Sequence, residues 1–270
     1  NRVSYNVKTG ERIFEVKFKE PVTNFTLEYV PFGIKSSKVL TISNENPLMK
    51  NGLIVWKNSA GVINETPIVH GLTNVPEGAV EVLSWGFLED STIKPNTTYR
   101  IKMPTTILKV PKVEPKYVNS FLSMFEGCSK FNDPNISFWN TSKITDLDNM
   151  FMECVEFNQP LNDWDVSKVT RARRLFQDCS NFNQPLNKWQ TGNMTSMSWM
   201  FVRCAKFNQN INSWDVSNVM YMKTMFSECE RFNQPLNDWD VSKVQDFSWM
   251  FQHCVSFNQP LNKWNVGSAV

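Results

Sequence analysis

Long apolar runs are missing from this sequence of 270 residues, and so is a strong excess of charge of one sign. Without a stretch of about eighteen apolar residues, no membrane-spanning helix is expected, and the sequence shows no signal-peptide pattern. The formal net charge is only +2, whereas a general nucleic-acid binder shows a clear basic excess or a basic stripe. We therefore predict that this chain binds no nucleic acid and inserts no segment into a membrane.

Cysteine is absent from the first 127 residues and then recurs at a nearly constant spacing, which divides the chain in two. Residues 1–115 contain runs rich in β-branched and aromatic residues, separated by turn sequences. Short strands at this spacing predict an all-β, sandwich-like domain, for which an immunoglobulin-like arrangement is the first expectation. Residues 116–270 form the second predicted domain. The chain begins at Asn1 and stops partway through a repeat at Val270, which favours a processed chain or a piece of a longer one.

The second part consists almost entirely of about six repeated units, of which the last is incomplete. Each unit carries a Met-Phe or Leu-Phe pair, a cysteine three residues after that phenylalanine, a Phe-Asn pair and then a tryptophan. The cysteines are Cys128, Cys154, Cys179, Cys204, Cys229 and Cys254. The tryptophans are Trp139, Trp164, Trp189, Trp214, Trp239 and Trp264, and they keep a period of 25 residues. Such a period is typical of repeat architectures in which neighbouring units bury each other's apolar faces.

The spacing of apolar residues inside a unit indicates one face of a helix. Val219, Met222, Phe226 and Cys229 follow the three- and four-residue spacing of a helix, and Ser217 precedes them as the expected N-cap. The segment after the cysteine is interrupted by proline and leaves room for one short strand only. The predicted fold class is therefore α+β, with the N-terminal all-β, sandwich-like domain followed by a solenoid of one short strand and one short helix per 25-residue unit.

The consensus unit "MFxxCxxFNQPLNxWDVSxVxxM" resembles the bacterial surface-protein leucine-rich repeats known as BspA-like, in the variant of mycoplasma lipoproteins. The resemblance covers about residues 120–270 and none of residues 1–115. It implies a leucine-rich-repeat-type solenoid and a non-enzymatic extracellular protein that is often involved in adhesion. Repeats of this type also resemble segments of phage and large-virus virion proteins.

The six cysteines admit three interpretations. Zinc sites need locally clustered ligands, and disulfides need Cα atoms within about 7 Å, whereas the sequence spacing here is 25 or 26 residues. The third interpretation, a structural ladder of buried free thiols, is favoured because cysteine is among the most readily buried residues. His253 precedes Cys254 and suggests a Cys–His nucleophile, but the other five cysteines have no neighbouring histidine.

The residue after the repeat tryptophan is acidic in three units. A stacked acidic ladder would suit calcium, but three other units carry neutral side chains at this position, so turn and cap chemistry is favoured. The acidic residues are Asp165, Asp215 and Asp240, and the neutral ones are Asn140, Gln190 and Asn265. The repeat tryptophans are interpreted as a structural ladder in preference to a carbohydrate platform. We predict no metal, no cofactor and no catalytic residue.

A specific ligand is expected at positions that differ between units, because positions that repeat belong to the core. Aromatic and basic residues gather at such positions, and these residue types dominate the hot spots of protein interfaces. The candidate ligand-binding residues are Trp199, Trp249, Tyr221, Arg171, Arg174 and Lys223. The alternative is that the two tryptophans fold back over neighbouring units.

These observations predict a non-catalytic binding or adhesion module on a cell or virion surface, outside the cell. Its partner would be a protein or a glycan on a host or neighbouring surface. The alternative is an architectural virion component, such as a capsid decoration, tail or baseplate protein, that contacts other subunits of a large assembly. An enzyme with a carboxylate pair in residues 1–115 is the third hypothesis, although Glu15, Glu20, Glu28, Glu65, Glu81 and Asp90 form no pattern.

Overall fold

The computed structural model describes residues 4–5, 14–15, 24–29, 38–43, 50–89, 93 and 97–270, and the chain divides into two compact units, 1–47 and 48–270. In the first unit, β1 (Ser4–Tyr5) pairs antiparallel with β2 (Phe14–Glu15). A second antiparallel pair joins β3 (Asn24–Tyr29) to β4 (Lys38–Ser43). Both partners in the second pair are rich in β-branched and aromatic residues, as strands prefer.

The second unit begins with five strands in two small sheets. The antiparallel sheet has the order β6 (Ile63–Pro67), β5 (Leu53–Asn58), β8 (Ala79–Ser84). The other sheet pairs β7 (Gly71–Asn74) with β9 (Tyr99–Lys102) in parallel. Burial along β9 alternates, because successive side chains of a strand point to opposite faces.

The all-β, sandwich-like domain predicted for residues 1–115 is wrong for the strands that the structure describes, which are nevertheless β. The described strands form separate sheets of two or three strands, and the pair of β7 and β9 is parallel. Residues 103–111 hydrogen-bond directly to the first repeat: Met103 N donates to Met124 O at 2.8 Å, and Trp139 Nε1 donates to Pro111 O at 3.0 Å. One core cluster of buried residues extends from Ile54 to Cys254. The domain boundary predicted near residue 115 stays a prediction.

Each repeat is a chain of tight turns whose backbone bonds to the next unit. Alternate N–H groups donate across one repeat, as from Phe151 N to Leu175 O at 3.0 Å. Other N–H groups close local turns, as from Cys154 N to Phe151 O at 3.0 Å. Isolated parallel bridges then link equivalent residues of successive units in the order Asp146, Arg171, Ser196, Tyr221 and Asp246. The turns therefore satisfy the buried backbone groups of each unit without regular secondary structure.

The predicted helix in each unit is also wrong, and with it the α+β solenoid of helix plus strand. In the described residues, helix is limited to a five-residue 3₁₀ helix, Pro134–Phe138. Two residues per unit have positive φ, such as Trp199 at 61° and Arg203 at 56°. A left-handed residue interrupts an α-helix, because a continuous helix needs negative φ throughout. Val219 N bonds to Val216 O, so Ser217 lies inside a turn and caps no helix.

The core of the repeats contains columns of stacked aromatic rings. Phe176, Phe201 and Phe226 stack with centroid separations of 5.6 Å and 5.7 Å, and a parallel column contains Phe182, Phe207 and their equivalents. Within a unit, the two columns meet at about 4.2 Å, as for Phe201 and Phe207. These side chains are fully buried. Unit-to-unit stacking therefore provides the apolar burial that a single 25-residue unit lacks.

The second left-handed position of each unit allows a stability test of this backbone. It is Gly127 in the first unit, with φ of 80°, and Glu153 in the next, with φ of 63°. Left-handed φ costs a non-glycine residue about 1–2 kcal/mol, and a Cβ at Gly127 would meet only an ordinary contact, with Thr105 at 3.5 Å. We expect Gly127→Ala to lower the free energy of unfolding by about 1 kcal/mol, measured by urea unfolding.

The converse change, Glu153→Gly, should raise the free energy of unfolding by about 0.5 kcal/mol, because relief of backbone strain exceeds the entropy cost of glycine. Glu156→Gly is the matched control, since Glu156 lies in the same unit and outside the residues with positive φ. That control should lose about 0.5–1 kcal/mol. Equal destabilisation by both glycine variants would contradict the left-handed assignment.

No helix in the described part of the chain has the length and apolarity needed to cross a membrane.

Candidate functional site

Trp199 and Trp249 occupy the first left-handed position of their units, directly before the Met-Phe pair. Their φ angles are 61° and 57°. The following Met200 and Phe201 are buried, whereas the side chain of Trp199 is half-buried and that of Trp249 is 62% exposed. The turn therefore places an aromatic side chain outside the core at a position where other units carry smaller or polar residues.

Two cations lie against these tryptophan rings and join them into one surface feature. Arg174 Cζ lies 4.5 Å from the ring centroid of Trp199, and Lys223 Nζ lies 6.0 Å from the same centroid. Lys223 Nζ also lies 4.9 Å from the ring centroid of Trp249. We call Arg174, Trp199, Lys223 and Trp249 the aromatic–cation stripe. Four of the six candidate ligand-binding residues are thus brought together, over four successive units.

The other two candidates, Arg171 and Tyr221, lie on the ladder of parallel bridges, two units apart. Tyr221 is 43% exposed. Arg171 forms a hydrogen-bonded ion pair with the buried Asp146 and contacts Asp148 at 3.8 Å. Its charge is therefore already matched inside the protein, which sets Arg171 apart from the stripe.

Sequence reasoning missed a set of ion pairs between units. Arg173 donates from Nε and Nη2 to Asp148 at 2.9 Å and 2.6 Å, and these bonds raise the pKa of Arg173. Arg203 bridges Asp178 at 3.0 Å and Glu228 at 3.3 Å. The pairs of Arg171 and Arg173 could have been predicted from the sequence, because Asp-x-Asp at 146–148 aligns with Arg-x-Arg at 171–173, one repeat later.

All six repeat cysteines are free and buried. Each thiol donates to a backbone carbonyl of the preceding segment, as from Cys204 Sγ to Phe176 O at 2.9 Å. Burial raises the pKa of Cys254 to about 11 and that of Cys128 to about 12, and raises the pKa of the other four thiols well above the ordinary value. Protonated thiols are poor nucleophiles, so the environment of Cys254 beside His253 does not favour a Cys–His nucleophile.

The repeat tryptophans pack into the core, and each indole N–H reaches a carbonyl of the preceding segment. Trp189 Nε1 donates to Leu161 O at 2.8 Å and Trp214 Nε1 donates to Leu186 O at 2.9 Å. Trp139, Trp164, Trp189, Trp214 and Trp239 are buried, and Trp264 is half-buried. A buried indole N–H normally finds such a partner, and the rings leave no open platform on these five residues.

The acidic residues that follow the repeat tryptophans close tight turns. Asp165 Oδ1 accepts hydrogen bonds from Oγ and N of Ser167, at 2.6 Å and 3.0 Å, and these bonds lower the pKa of Asp165. Asp215 and Asp240 accept equivalent bonds from Ser217 N and Ser242 N. Within the described ranges, no three acidic, histidine or cysteine side chains are grouped as metal ligands would be.

The carboxylates considered for an enzyme are spread over several elements. Glu65 and Glu81 form salt bridges with Lys50 and Lys57, respectively. Glu15 belongs to β2 and Glu28 to β3, while Glu20 and Asp90 lie outside the described residues.

Residues 102–206 and 185–270 match the sequence profile of a family described as "Mycoplasma protein of unknown function, DUF285". The two matches overlap and together span well over half of the chain. No curated protein and no solved structure matches the chain. The mycoplasma-type part of the predicted resemblance is thus confirmed, while the finer BspA-like assignment stays a prediction.

Proposed function

We propose, from its surface features, that this chain, which belongs to the Mycoplasma protein family of unknown function DUF285, is a non-catalytic binding module. It recognises a protein or a glycan on a neighbouring surface through the aromatic–cation stripe. The observation that carries this proposal is the contact series from Arg174 to Trp199, Lys223 and Trp249. The BspA-like surface proteins that the repeat resembles lead to the same expectation of adhesion.

The exposed aromatic area of the stripe supports binding. A solvated face rarely keeps a tryptophan that is 62% exposed beside a second tryptophan on the same side of the stack. Tryptophan and arginine carry much of the energy at interface hot spots, because they combine a large contact area with directed hydrogen bonding. Cations stacked on the rings hold these side chains in place before a partner arrives, which lowers the entropy cost of binding.

The charges around the stripe favour a partner that presents acidic groups beside apolar ones. Arg171, Arg173 and Arg203 are engaged in ion pairs with aspartate and glutamate. Arg174 and Lys223 contact aromatic rings and attract Glu126 and Asp246 electrostatically, but neither forms a salt bridge in the described residues, so their N–H donors can meet carboxylates or sulfates. The stripe thus combines two apolar rings with two cations.

An extracellular location, on a cell or virion surface, is part of the same proposal. Free cysteines are unusual in oxidising compartments. Here burial raises the pKa of every repeat thiol, and protonated, inaccessible thiols react slowly with oxidants. The six unpaired cysteines are therefore compatible with an oxidising environment.

Binding should depend on both tryptophans of the stripe. We expect the 270-residue chain to bind sulfated or sialylated glycans on an array, or intact epithelial cells in flow cytometry, and Trp199→Ala with Trp249→Ala to weaken that binding at least thirtyfold. A loss of about 2 kcal/mol, typical of a hot spot, corresponds to that factor. Val255→Ala is the control, because Val255 is exposed, lies on the same unit as Trp249 and is outside the stripe.

Two outcomes would refute the proposal. One is an absence of binding to both the glycans and the cells. The other is binding that the double tryptophan variant and the Val255→Ala control retain equally. The architectural virion role stays a prediction, since no contact in the described residues specifically favours it.

A further inference from the structure

A groove of about 710 Å³ opens on a different part of the repeats from the stripe. Its lining comes from three successive units, and the groove shares no residue with the stripe. The lining residues are Pro185, Asn187, Gln209, Asn210, Asn212, Ser213 and Asp238.

The groove lies where one unit departs from the repeat consensus. Asn210 stands where all five other units have proline, as in "FNQNIN" instead of "FNQPLN". Ser213 stands where the other units from 146 onward have aspartate or lysine. Both departures from the consensus, Asn210 and Ser213, lie in the lining of the groove. This unit therefore lacks the proline ring and the charged side chain that other units carry at these positions.

Charges on both sides of the groove are already paired. Lys188 Nζ donates to Asp163 Oδ1 at 2.7 Å, and Lys263 Nζ donates to Asp238 Oδ1 at 2.6 Å. Ser213 occupies the same repeat position as the four residues of these pairs, in the unit between them. The groove thus presents a balanced electrostatic environment, which gives no advantage to a ligand with net charge.

Hydrogen-bonding groups in the groove remain available. The amide oxygens of Asn187 and Asn210 accept bonds from Asn162 Nδ2 and Asn212 N, at 3.0 Å each. Their Nδ2 donors, and Gln209 Oε1, have no protein partner among the described residues. Both carboxylate oxygens of Asp238 already accept bonds, from Lys263 Nζ and Asn212 Nδ2, and the Ser213 hydroxyl donates to Asn187 O at 3.2 Å. Two free amide donors therefore lie beside one free amide acceptor.

We propose that this groove binds a neutral oligosaccharide. Sugar hydroxyls both donate and accept hydrogen bonds, so they match a surface that offers amide donors beside an amide acceptor and a serine hydroxyl oxygen. A peptide would instead need apolar pockets or a free sheet edge, but the lining is polar apart from Pro185. Pro185 supplies one apolar surface against which a sugar ring can lie.

The repeat itself provides the variant that tests this site. Asn210→Pro with Ser213→Lys installs the residues that the preceding unit carries at Pro185 and Lys188, so the fold should tolerate both changes. We expect neutral hexose or N-acetylhexosamine oligosaccharides, titrated into the 270-residue chain by calorimetry, to bind. We expect the double variant to weaken this binding at least tenfold, with an unchanged thermal unfolding midpoint.

This site is independent of the aromatic–cation stripe, and the two can fail separately. Trp199→Ala with Trp249→Ala should leave binding of the neutral oligosaccharide within twofold of wild type. Conversely, the groove variant should leave binding of glycans or cells at the stripe unchanged. The groove assignment is overturned if no neutral oligosaccharide of the panel binds, or if the folded groove variant binds as tightly as wild type.

Discussion

Replacing Phe201 with alanine should lower the free energy of unfolding by about 3–5 kcal/mol, the usual cost of removing a fully buried phenylalanine. Its ring contacts both neighbouring units, with Phe176 at 5.6 Å and Phe226 at 5.7 Å, and also the second column at Phe207. The cavity left by this ring would lie between stacked units and not inside a single unit. Urea unfolding followed by tryptophan fluorescence would measure the loss.

Phe138→Ala is the matched control for this experiment. Phe138 is 61% exposed and contacts Lys112, whose Nζ lies 3.9 Å from the ring centroid. Loss of an exposed cation–aromatic contact costs about 0.5–1 kcal/mol. If Phe201→Ala cost no more than this control, the stacked column would not be the main source of stability for the repeats.

Stability should also fall steeply at alkaline pH. Burial raises the pKa of all six repeat thiols in the folded chain, to about 11 for Cys254 and about 12 for Cys128. Because the folded pKa exceeds the unfolded one, the contribution of the neutral thiols is complete below the unfolded pKa of about 8.5. It is lost as the pH rises from there towards the folded pKa, by about 1.4 kcal/mol per pH unit for each thiol.

We therefore expect the free energy of unfolding to be nearly constant from pH 6 to 7.5 and to decrease strongly between pH 9 and 10.5. Cys204→Ser is the control, because its hydroxyl can donate the bond that Cys204 Sγ makes to Phe176 O and does not titrate in this range. At pH 10 its slope should be smaller by about 1.4 kcal/mol per pH unit. Parallel pH profiles for the unmodified chain and Cys204→Ser would contradict a raised pKa of the Cys204 thiol.

The helix prediction was wrong because two backbone arrangements share one apolar spacing. Buried residues three or four positions apart suit a helix face, but they also suit consecutive turns of three to four residues. Met225 N bonds to Met222 O and Cys229 N bonds to Phe226 O, while Phe226 N bonds to Met250 O in the next unit. Bonds between residues 24 positions apart leave no mark on the local sequence, so periodicity alone favours the helix.

Left-handed residues are equally hard to predict here. Among the twelve left-handed positions of the repeats, the sequence places glycine only at Gly127 and elsewhere uses residues such as Trp199, Arg203 and Glu228. These residues have no intrinsic preference for positive φ. The stacking of neighbouring units and the bonds between their backbones must therefore hold these residues in the left-handed region.

The candidate site was partly predictable. Comparison between units singled out Trp199, Trp249, Arg174 and Lys223 as residues that break the repeat, and the structure brings these four into contact. The same comparison also selected Arg171, whose charge is matched by Asp146. Whether a basic side chain faces a partner or an internal acid depends on the residue one repeat earlier, and that relation becomes visible only when the stacking register is known.

The sequence by itself determined the 25-residue period, the residues that recur at each position and the small net charge, because each of these is a property of residue identity and order. The tertiary structure decided the backbone that realises the period, the pairing of charges between units and the groove beside Asn210. All three depend on hydrogen bonds and contacts across about 25 residues. Such contacts form only when units stack, and stacking selects turns with left-handed residues over the helix that the local pattern favours.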